Sequence, residues 1–277
     1  ETVRIRTKDC FSNQLTGPQD TMDDLDWDAV NPATGPVFVE GAKAGGALKV
    51  RIDNIEFDEQ TCSATGQDEG VCGNRFTEWA THYCKIQGNT LAWDERLNIP
   101  LRPMIGVIGT APDEGAPADG FVGNYGGNMD NKKITKGTRL YFPVRVPGAL
   151  LQMGDVHATM GDAELCGTGI EIPAEITCRV QLVKDFELNW PVLETFGEGG
   201  KWYVNSCGEH YEQALMNGSK ELQRLLMRVT SWDAVETYMY MSVQSDVEIS
   251  QGCKPCEVQL SLRIGTPKLT EFPPLVG

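Results

Sequence analysis

Apolar and polar positions alternate along much of the chain, which is the pattern of β-strands with one buried face. Glycine and proline separate these stretches and mark turns. The pattern predicts strands over Thr2–Thr7, Val37–Glu40, Ala47–Phe57, Met104–Gly109, Arg139–Val146, Ile170–Val183 and Gln259–Ile264. Residues 58–78 are polar and are predicted to form a surface excursion.

Helical spacing of apolar residues is confined to the later part of the chain. It predicts helices over Glu209–Met216 and Glu221–Met227, split by the sequence NGS, which is typical of a helix stop and a new cap. Ala234–Val243 is predicted as a third helix. The fold class expected is mainly β (α+β), with sandwich-like or barrel-like sheets and a few C-terminal helices. We expect a single domain over residues 1–277 and place no boundary within it.

Composition narrows the functional classes. The chain has 277 residues, of which 40% are hydrophobic, so it can bury a sizeable core. Its net charge of −15 lacks the basic footprint of a nucleic-acid-binding protein. No stretch reaches the roughly 18–20 apolar residues of a membrane span, and the start is strand-like rather than an export signal. We therefore expect a cytoplasmic protein with no nucleic-acid or membrane partner.

The nine cysteines are odd in number and spread from Cys10 to Cys256, which favours reduced thiols over a disulfide scaffold. The CxxC at 253–256 is predicted to be a turn with two ordinary thiols, because it has no second pair. A looser set at Cys62, Cys72, His82 and Cys84 matches no common zinc spacing, and a satellite zinc site or one disulfide stays open there.

Residues 155–171 concentrate side chains that bind metals or transfer protons. Within seventeen positions lie Asp155, His157, Asp162, Glu164 and Glu171, in a chain with three histidines and with no Lys or Arg from 147 to 177. Buried carboxylates persist by pairing, by shifting pKa or by binding a cation. A cation site is therefore predicted, and an exposed acidic hairpin with a satisfied histidine is the alternative.

The strand period indicates how these side chains meet. A hairpin centred near Ala163 would place Asp155 opposite Glu171 and His157 opposite Gly169, whose missing side chain leaves room for the imidazole. This register is an assumption, and a slip of one residue would turn Glu171 to the other face.

A second stretch, GNYGGNMDN at 123–131, supports a site. Its glycines permit tight turns and close approach of the backbone to a ligand. Asn128 and Asp130 offer oxygen ligands or hydrogen bonds.

Several motifs resemble one known family, the acetamidase/formamidase family. They are NPATGP at 31–36, PMIGVIGTAP at 103–112, GGNMD at 126–130, LYFPVRVPGAL at 140–150, GDVHATMGDAE at 154–164 and CGTGIE at 166–171. The likeness keeps its order from about Val3 to Ile264. It implies a soluble β-rich hydrolase that cleaves a short aliphatic amide to a carboxylate and ammonia with the help of a metal. It also implies a homodimer or higher homo-oligomer and a further strand upstream of Glu1.

The positions that the family shares map onto Asp9, Gln14, Asn128, Asp130, Asp155, His157, Asp162, Glu164 and Glu171, and the chemistry and expected register of these side chains predict their roles. The predicted metal ligands are Asp130, Asp155 and His157. The predicted general acid and base is Glu171, with Asp162 and Glu164 as further catalytic candidates, and the predicted substrate-binding residues are Gly127, Asn128, Asp9 and Gln14. With an imidazole among the ligands, zinc is favoured over calcium.

Three alternatives stay open. One branch of the family, which contains formamidases, carries His where this chain has Met129, so a preference for formamide is not implied. Cys166 as a nucleophile is less favoured than Cys166 as a small structural residue, because no His or Lys lies nearby in sequence. The other class of function is a non-catalytic β protein that binds a metal or small ligand on the same scaffold.

Overall fold

The computed structural model describes residues 1–57, 60–254 and 258–277. Its strands are β1 (Thr2–Thr7), β2 (Ala33–Val37), β3 (Ala47–Phe57), β4 (Gln60–Thr65), β5 (Ala80–Gln87), β6 (Thr90–Ala92), β7 (Asn98–Pro100), β8 (Met104–Gly109), β9 (Val122–Gly123), β10 (Gly126–Asn128), β11 (Arg139–Pro143), β12 (Leu151–His157), β13 (Ala174–Val183), β14 (Val192–Glu194), β15 (Lys201–Gly208), β16 (Asp246–Ile249) and β17 (Leu260–Pro267). The α-helices are α1 (Tyr211–Thr230) and α2 (Ala234–Gln244).

The strands form three antiparallel sheets. The largest has eight strands in the order β1-β13-β3-β11-β14-β15-β17-β16. The second has five strands, β2-β12-β8-β10-β9, and the third has four, β4-β5-β6-β7. The mainly β fold class, with its helices late in the chain, is thereby confirmed. No helix in the described parts of the chain is long and apolar enough to cross a membrane.

Strands with a regular alternating pattern have the predicted bounds. β1, β3 and β8 begin and end where the sequence predicts, whereas β17 starts one residue late and continues three residues past the predicted end. Two other predictions extend past a proline: β11 ends at Pro143, and β13 begins just after Pro173. Proline has no N–H for the strand ladder, which explains both limits.

The prediction of a strand at Val37–Glu40 is wrong by four residues. β2 lies earlier because its first residues pair with Gly154 of β12, where a side chain would collide with the carbonyl of Pro32. The surface excursion predicted for 58–78 is also wrong in part, since β4 lies inside it and buries Cys62 and Ala64.

The predicted break at residues 217–219 is wrong, because α1 runs through it without interruption. Gly218 lies buried against β15 and β17, where a Cβ would stand 2.5 Å from Ser206 Oγ and 2.8 Å from Ile264 Cδ1. Asn217 donates its side-chain N–H to the Cys207 carbonyl oxygen at 3.1 Å. The residues that predict a helix stop in sequence are therefore present because they make tertiary contacts.

Three apolar clusters hold these elements together. The largest joins the eight-stranded and five-stranded sheets through residues such as Ile52, Ile108 and Val156. A second packs α1 onto β15 and β17. The third joins the segment 10–25 to β4 through Phe11 and Met22, and it forms one wall beside the site described below.

The close approach at Gly218 can be tested with Gly218→Ala. In an exposed helix interior this change is stabilising by roughly 1 kcal/mol. Here we expect the free energy of unfolding to fall by about 1–3 kcal/mol, because the new methyl group overpacks the contact with Ser206. Chemical denaturation measures it, with the exposed Lys220→Ala on the same helix as control. A gain in stability would contradict the packing described.

Candidate active site

Four acids and one histidine converge where the five-stranded sheet meets the four-stranded sheet. Each is at least nine-tenths buried: Asp130, Asp155, His157, Glu164 and Glu171. The imidazole is central. Its Nε2 lies 3.3 Å from Asp155 Oδ1, 3.2 Å from Glu171 Oε1 and 3.7 Å from Glu164 Oε1. The structure therefore brings together four of the five residues singled out at 155–171, and adds Asp130.

The backbone is adapted to hold these acids. Asp130, Asp155 and Glu164 have φ of 43°, 54° and 48°, in the left-handed region that non-glycine residues seldom adopt. Such strain persists where the surroundings over-determine it, and it concentrates at functional sites. Gly106 lies opposite Asp155, and a side chain there would collide with the carboxylates of Asp155 and Asp130.

The hairpin register differs from the predicted one by two residues. Glu171 pairs with His157, not with Asp155, and it also pairs with Cys62 of β4. A shift of two residues leaves every side chain on its face, because the period of a strand is two. Glu171 thus still reaches the cluster. Gly169 packs against the imidazole as predicted, since a Cβ there would stand 2.7 Å from His157 Nδ1.

Two residues of the site were missed by sequence reasoning. Gln251 donates through Nε2 to Asp130 Oδ2 at 3.0 Å and to Glu164 Oε2 at 2.6 Å, so it links two of the acids. Cys10 lies beside Asp155 and Glu171. Both are distant in sequence from the acidic stretch, and neither belongs to a motif that could have marked it.

Other predicted site residues lie outside the cluster. Asp162 forms ion pairs with Arg263 at 2.8 Å and with Lys132 at 2.7 Å. Asp9 accepts a hydrogen bond from the Asn13 backbone N–H at 2.7 Å. These contacts fix the turns on which the two acids lie.

Gln14 and Gly127 likewise face away from the cluster. Gln14 exchanges hydrogen bonds with the Asp26 backbone, at 2.9 and 3.2 Å. Gly127 has a φ of 86° and borders a neighbouring cavity of about 350 Å³.

The cluster opens into a pocket of about 360 Å³. Its polar lining includes Asn128, Asp155, Glu164, Glu171 and Gln251. Three buried oxygens of the lining have no hydrogen-bond partner among the described residues: Asn31 Oδ1, Asn128 Oδ1 and Glu171 Oε2. Buried polar atoms without partners are costly and are common where a ligand completes the hydrogen bonding.

Burial and the closeness of like charges raise the pKa values of three carboxyl groups in the cluster. Burial raises the pKa of the Asp130 carboxyl to about 7, and repulsion by Asp155 adds to this. Burial also raises the pKa of Glu171 to about 7, and that of Glu164 well above its ordinary value. Burial alone would lower the pKa of His157, but the carboxylates of Glu171 and Asp155 outweigh it and raise it well above the ordinary value.

The donor set fits a divalent cation. Potential ligand atoms form two buried groups within 4.8 Å of one another: Asp130, His157 and Glu164, and Cys10, Asp155 and Glu171. Asp130 Oδ1 is buried in the first group and has no hydrogen-bond partner in the part of the chain that the structure describes. Three ligands of imidazole and carboxylate type are what a catalytic zinc ion uses.

Seven cysteines of the described chain are free thiols: Cys10, Cys62, Cys72, Cys84, Cys166, Cys178 and Cys207. Cys62 and Cys84 lie on the neighbouring strands β4 and β5, but neither belongs to a ligand group of the described residues. Part of the CxxC, Cys256, lies outside the described residues.

Comparison with known proteins decides the family. The profile of the acetamidase/formamidase family matches residues 1–119 and 122–267. The chain belongs to the acetamidase/formamidase family. It is 47% identical to the formamidase of Methylophilus methylotrophus, over 80% of this chain and 74% of that protein.

Solved structures of the family share the fold. A predicted acetamidase/formamidase from Thermoanaerobacter tengcongensis is 37% identical and covers 96% of this chain and 86% of its own, with a TM-score of 0.91. An acetamidase from Bacillus halodurans is 35% identical and covers 96% of this chain and 88% of its own, also with a TM-score of 0.91. The resemblance found in the sequence motifs is thereby confirmed.

The shifted pKa values of this family member predict how its metal-free stability depends on pH. Asp130 and Glu171 have folded pKa values of about 7, above their ordinary values, so the folded protein holds protons that the unfolded chain has lost. The raised pKa of His157 acts in the same direction. With a chelator present, the free energy of unfolding should fall between about pH 5 and pH 8, by up to about 1.4 kcal/mol per pH unit for each such proton.

Chemical denaturation across this pH range measures the effect. Glu171→Gln should show a shallower fall, and Glu95→Gln, an exposed change of the same type, the full one. A free energy of unfolding that is constant or rises with pH would contradict the assignment.

Proposed function

We propose that this chain hydrolyses short aliphatic amides such as acetamide or formamide, to a carboxylate and ammonia, with a divalent cation. Membership of the acetamidase/formamidase family supports the reaction class. The observation that supports catalysis most directly is the position of the two carboxylate oxygens of Glu171. One of its oxygens is held in place, and the other lies buried and unpartnered at the pocket.

Asp130, His157 and Glu164 would hold the cation, because their potential ligand atoms form one buried group. This set keeps two of the ligands predicted from sequence and exchanges Asp155 for Glu164. Asp155 lies beside this set, with its Oδ1 3.3 Å from His157 Nε2. Zinc is favoured over calcium, which prefers more oxygen ligands. When bound, the cation supplies Lewis acidity that polarises the amide carbonyl and activates water.

Glu171 is the proposed general base and acid. Gly169 N–H donates to Glu171 Oε1 at 2.8 Å, which leaves Oε2 to take the proton of the attacking water. The same oxygen then delivers that proton to the departing nitrogen. In the metal-free protein burial raises the pKa of this carboxyl, which favours a group that must both accept and donate a proton.

Asn128 is the proposed recognition residue for the amide group. Its Nδ2 donates to the Gly120 carbonyl oxygen at 3.3 Å, so the orientation of the side chain is fixed. Its buried Oδ1 is then free to accept an N–H of the substrate. Gln251 acts as a positioning residue, because its amide links Asp130 and Glu164.

The non-catalytic alternative is a protein that binds a metal or small ligand on the same scaffold. A binding protein has no need of an unpartnered carboxylate with a raised pKa beside its ligand group. The homo-oligomeric state and the cytoplasmic location remain predictions, and size-exclusion chromatography tests the first.

Glu171→Gln separates chemistry from binding. It keeps the shape of the side chain and removes its titrating group, so the variant should fold and retain its metal. Turnover of acetamide should fall by about 10²–10⁴-fold, the usual contribution of proton transfer. Ammonia release and elemental analysis of the purified protein give the two quantities.

Two further variants serve as a control and as a separate test of metal binding. Glu95→Gln, an exposed change of the same chemical type, should retain turnover. His157→Ala should lower the metal content per chain. Loss of metal in Glu171→Gln would make Glu171 a ligand, and near-normal turnover with bound metal would remove it from catalysis.

A further inference from the structure

The pocket has a large apolar side that hydrolysis of formamide or acetamide does not require. Phe11, Met22, Trp27, Val30 and Trp79 line it, next to the acids at its floor. Phe11 and Met22 belong to the buried cluster that joins segment 10–25 to β4, so this wall is part of the folded core.

Two tryptophans form the outer part of this wall. The rings of Trp27 and Trp79 lie 5.4 Å apart between centroids, tilted by 45°. They remain 50% and 36% exposed, so the two adjacent rings form an apolar patch at the pocket, and such patches mark ligand-binding grooves and other contact surfaces.

The position of Trp79 is fixed by a glycine. A Cβ on Gly66 would stand 2.5 Å from two atoms of the indole, so the ring lies flat on bare backbone. The two tryptophans come from segments more than fifty residues apart, and the fold brings them to one pocket. Their arrangement is therefore built into the tertiary structure.

The charge of the pocket restricts what can enter. Besides the acids of the cluster, its lining includes Glu69 and Asp119, and none of the described residues that line it is Lys or Arg. An anionic acyl group would meet carboxylates without a cationic side chain to pair with. A neutral group would not.

The size of the pocket points the same way. The pocket volume of about 360 Å³ is within the range of pockets that bury most of a drug-sized ligand. Formamide has only three heavy atoms and would leave most of this volume unfilled. A primary amide with a longer apolar acyl group would fill this space and cover the tryptophans.

We propose that the preferred substrates are primary amides with an apolar, uncharged acyl group of about five or six carbons, seated against Trp27 and Trp79. This rests on the proposed amidase activity and specifies its substrate class. Each methylene buried on the wall contributes a factor of about four in binding.

The test compares acetamide, hexanamide and adipamate, which is hexanamide with a terminal carboxylate, on the zinc-loaded protein. The kcat/KM of hexanamide should exceed that of acetamide by at least about tenfold, from partial burial of its four extra methylenes. Adipamate should fall below hexanamide by a similar factor. A ligand-observed NMR titration of the three amides gives their affinities independently of turnover.

Trp79→Ala locates the effect. It should lower the ratio of hexanamide to acetamide kcat/KM by about tenfold, whereas Tyr238→Ala, an aromatic that is 65% exposed on α2, should leave the ratio unchanged. Trp27→Leu is a milder second variant that should lower the ratio in the same direction.

The outcomes separate the two proposals. Turnover of acetamide with equal or poorer turnover of hexanamide overturns the apolar substrate class and leaves the amidase standing. No turnover of any amide, with hexanamide still binding more tightly than acetamide and adipamate, overturns the amidase and leaves the apolar pocket standing. No turnover and no preference in binding overturns both.

Discussion

The structure depends on the burial of four carboxylates around one imidazole. Asp130, Asp155, Glu164 and Glu171 each lie out of water, where an unpaired charge costs several kcal/mol. Within the described chain, the ion pairs of this cluster run only to His157. A cation held by the cluster would offset this excess of negative charge, and the proposed amide hydrolysis would use the same cation.

Much of the surrounding architecture supports this arrangement. The missing side chain of Gly106 leaves room for two of the carboxylates, and Gln251 holds two of them in register. Glu171 pairs with both β4 and β12, so the joint between two sheets carries the proposed acid and base. The strain and the charge at the site thus lie where two sheets are joined.

The alternating strands and the acidic cluster could be predicted from sequence because both follow from local periodicity. β3 has its predicted bounds, and Glu171 reached the cluster despite a wrong register because the error was an even number of residues. Long-range packing could not be predicted. In sequence Gly218 predicts a helix stop, and only its tertiary contacts with β15 and β17 explain why a glycine lies within the helix. Gln251 is distant in sequence from the acids, and the tertiary structure brings it to Asp130. The metal ligands remain predictions, although the acids that would supply them do meet.

The most direct test of the central claim is the unfolding temperature of the wild-type protein, first stripped with a chelator and then titrated with Zn²⁺. A ligand that binds only the folded state stabilises it by RT ln(1 + [L]/Kd), about 2.7 kcal/mol at a hundredfold excess over Kd. We expect the unfolding temperature to rise and to keep rising as the concentration of Zn²⁺ increases. An unfolding temperature that does not change with Zn²⁺, or with any other divalent cation, would show that the buried carboxylates do not hold a metal.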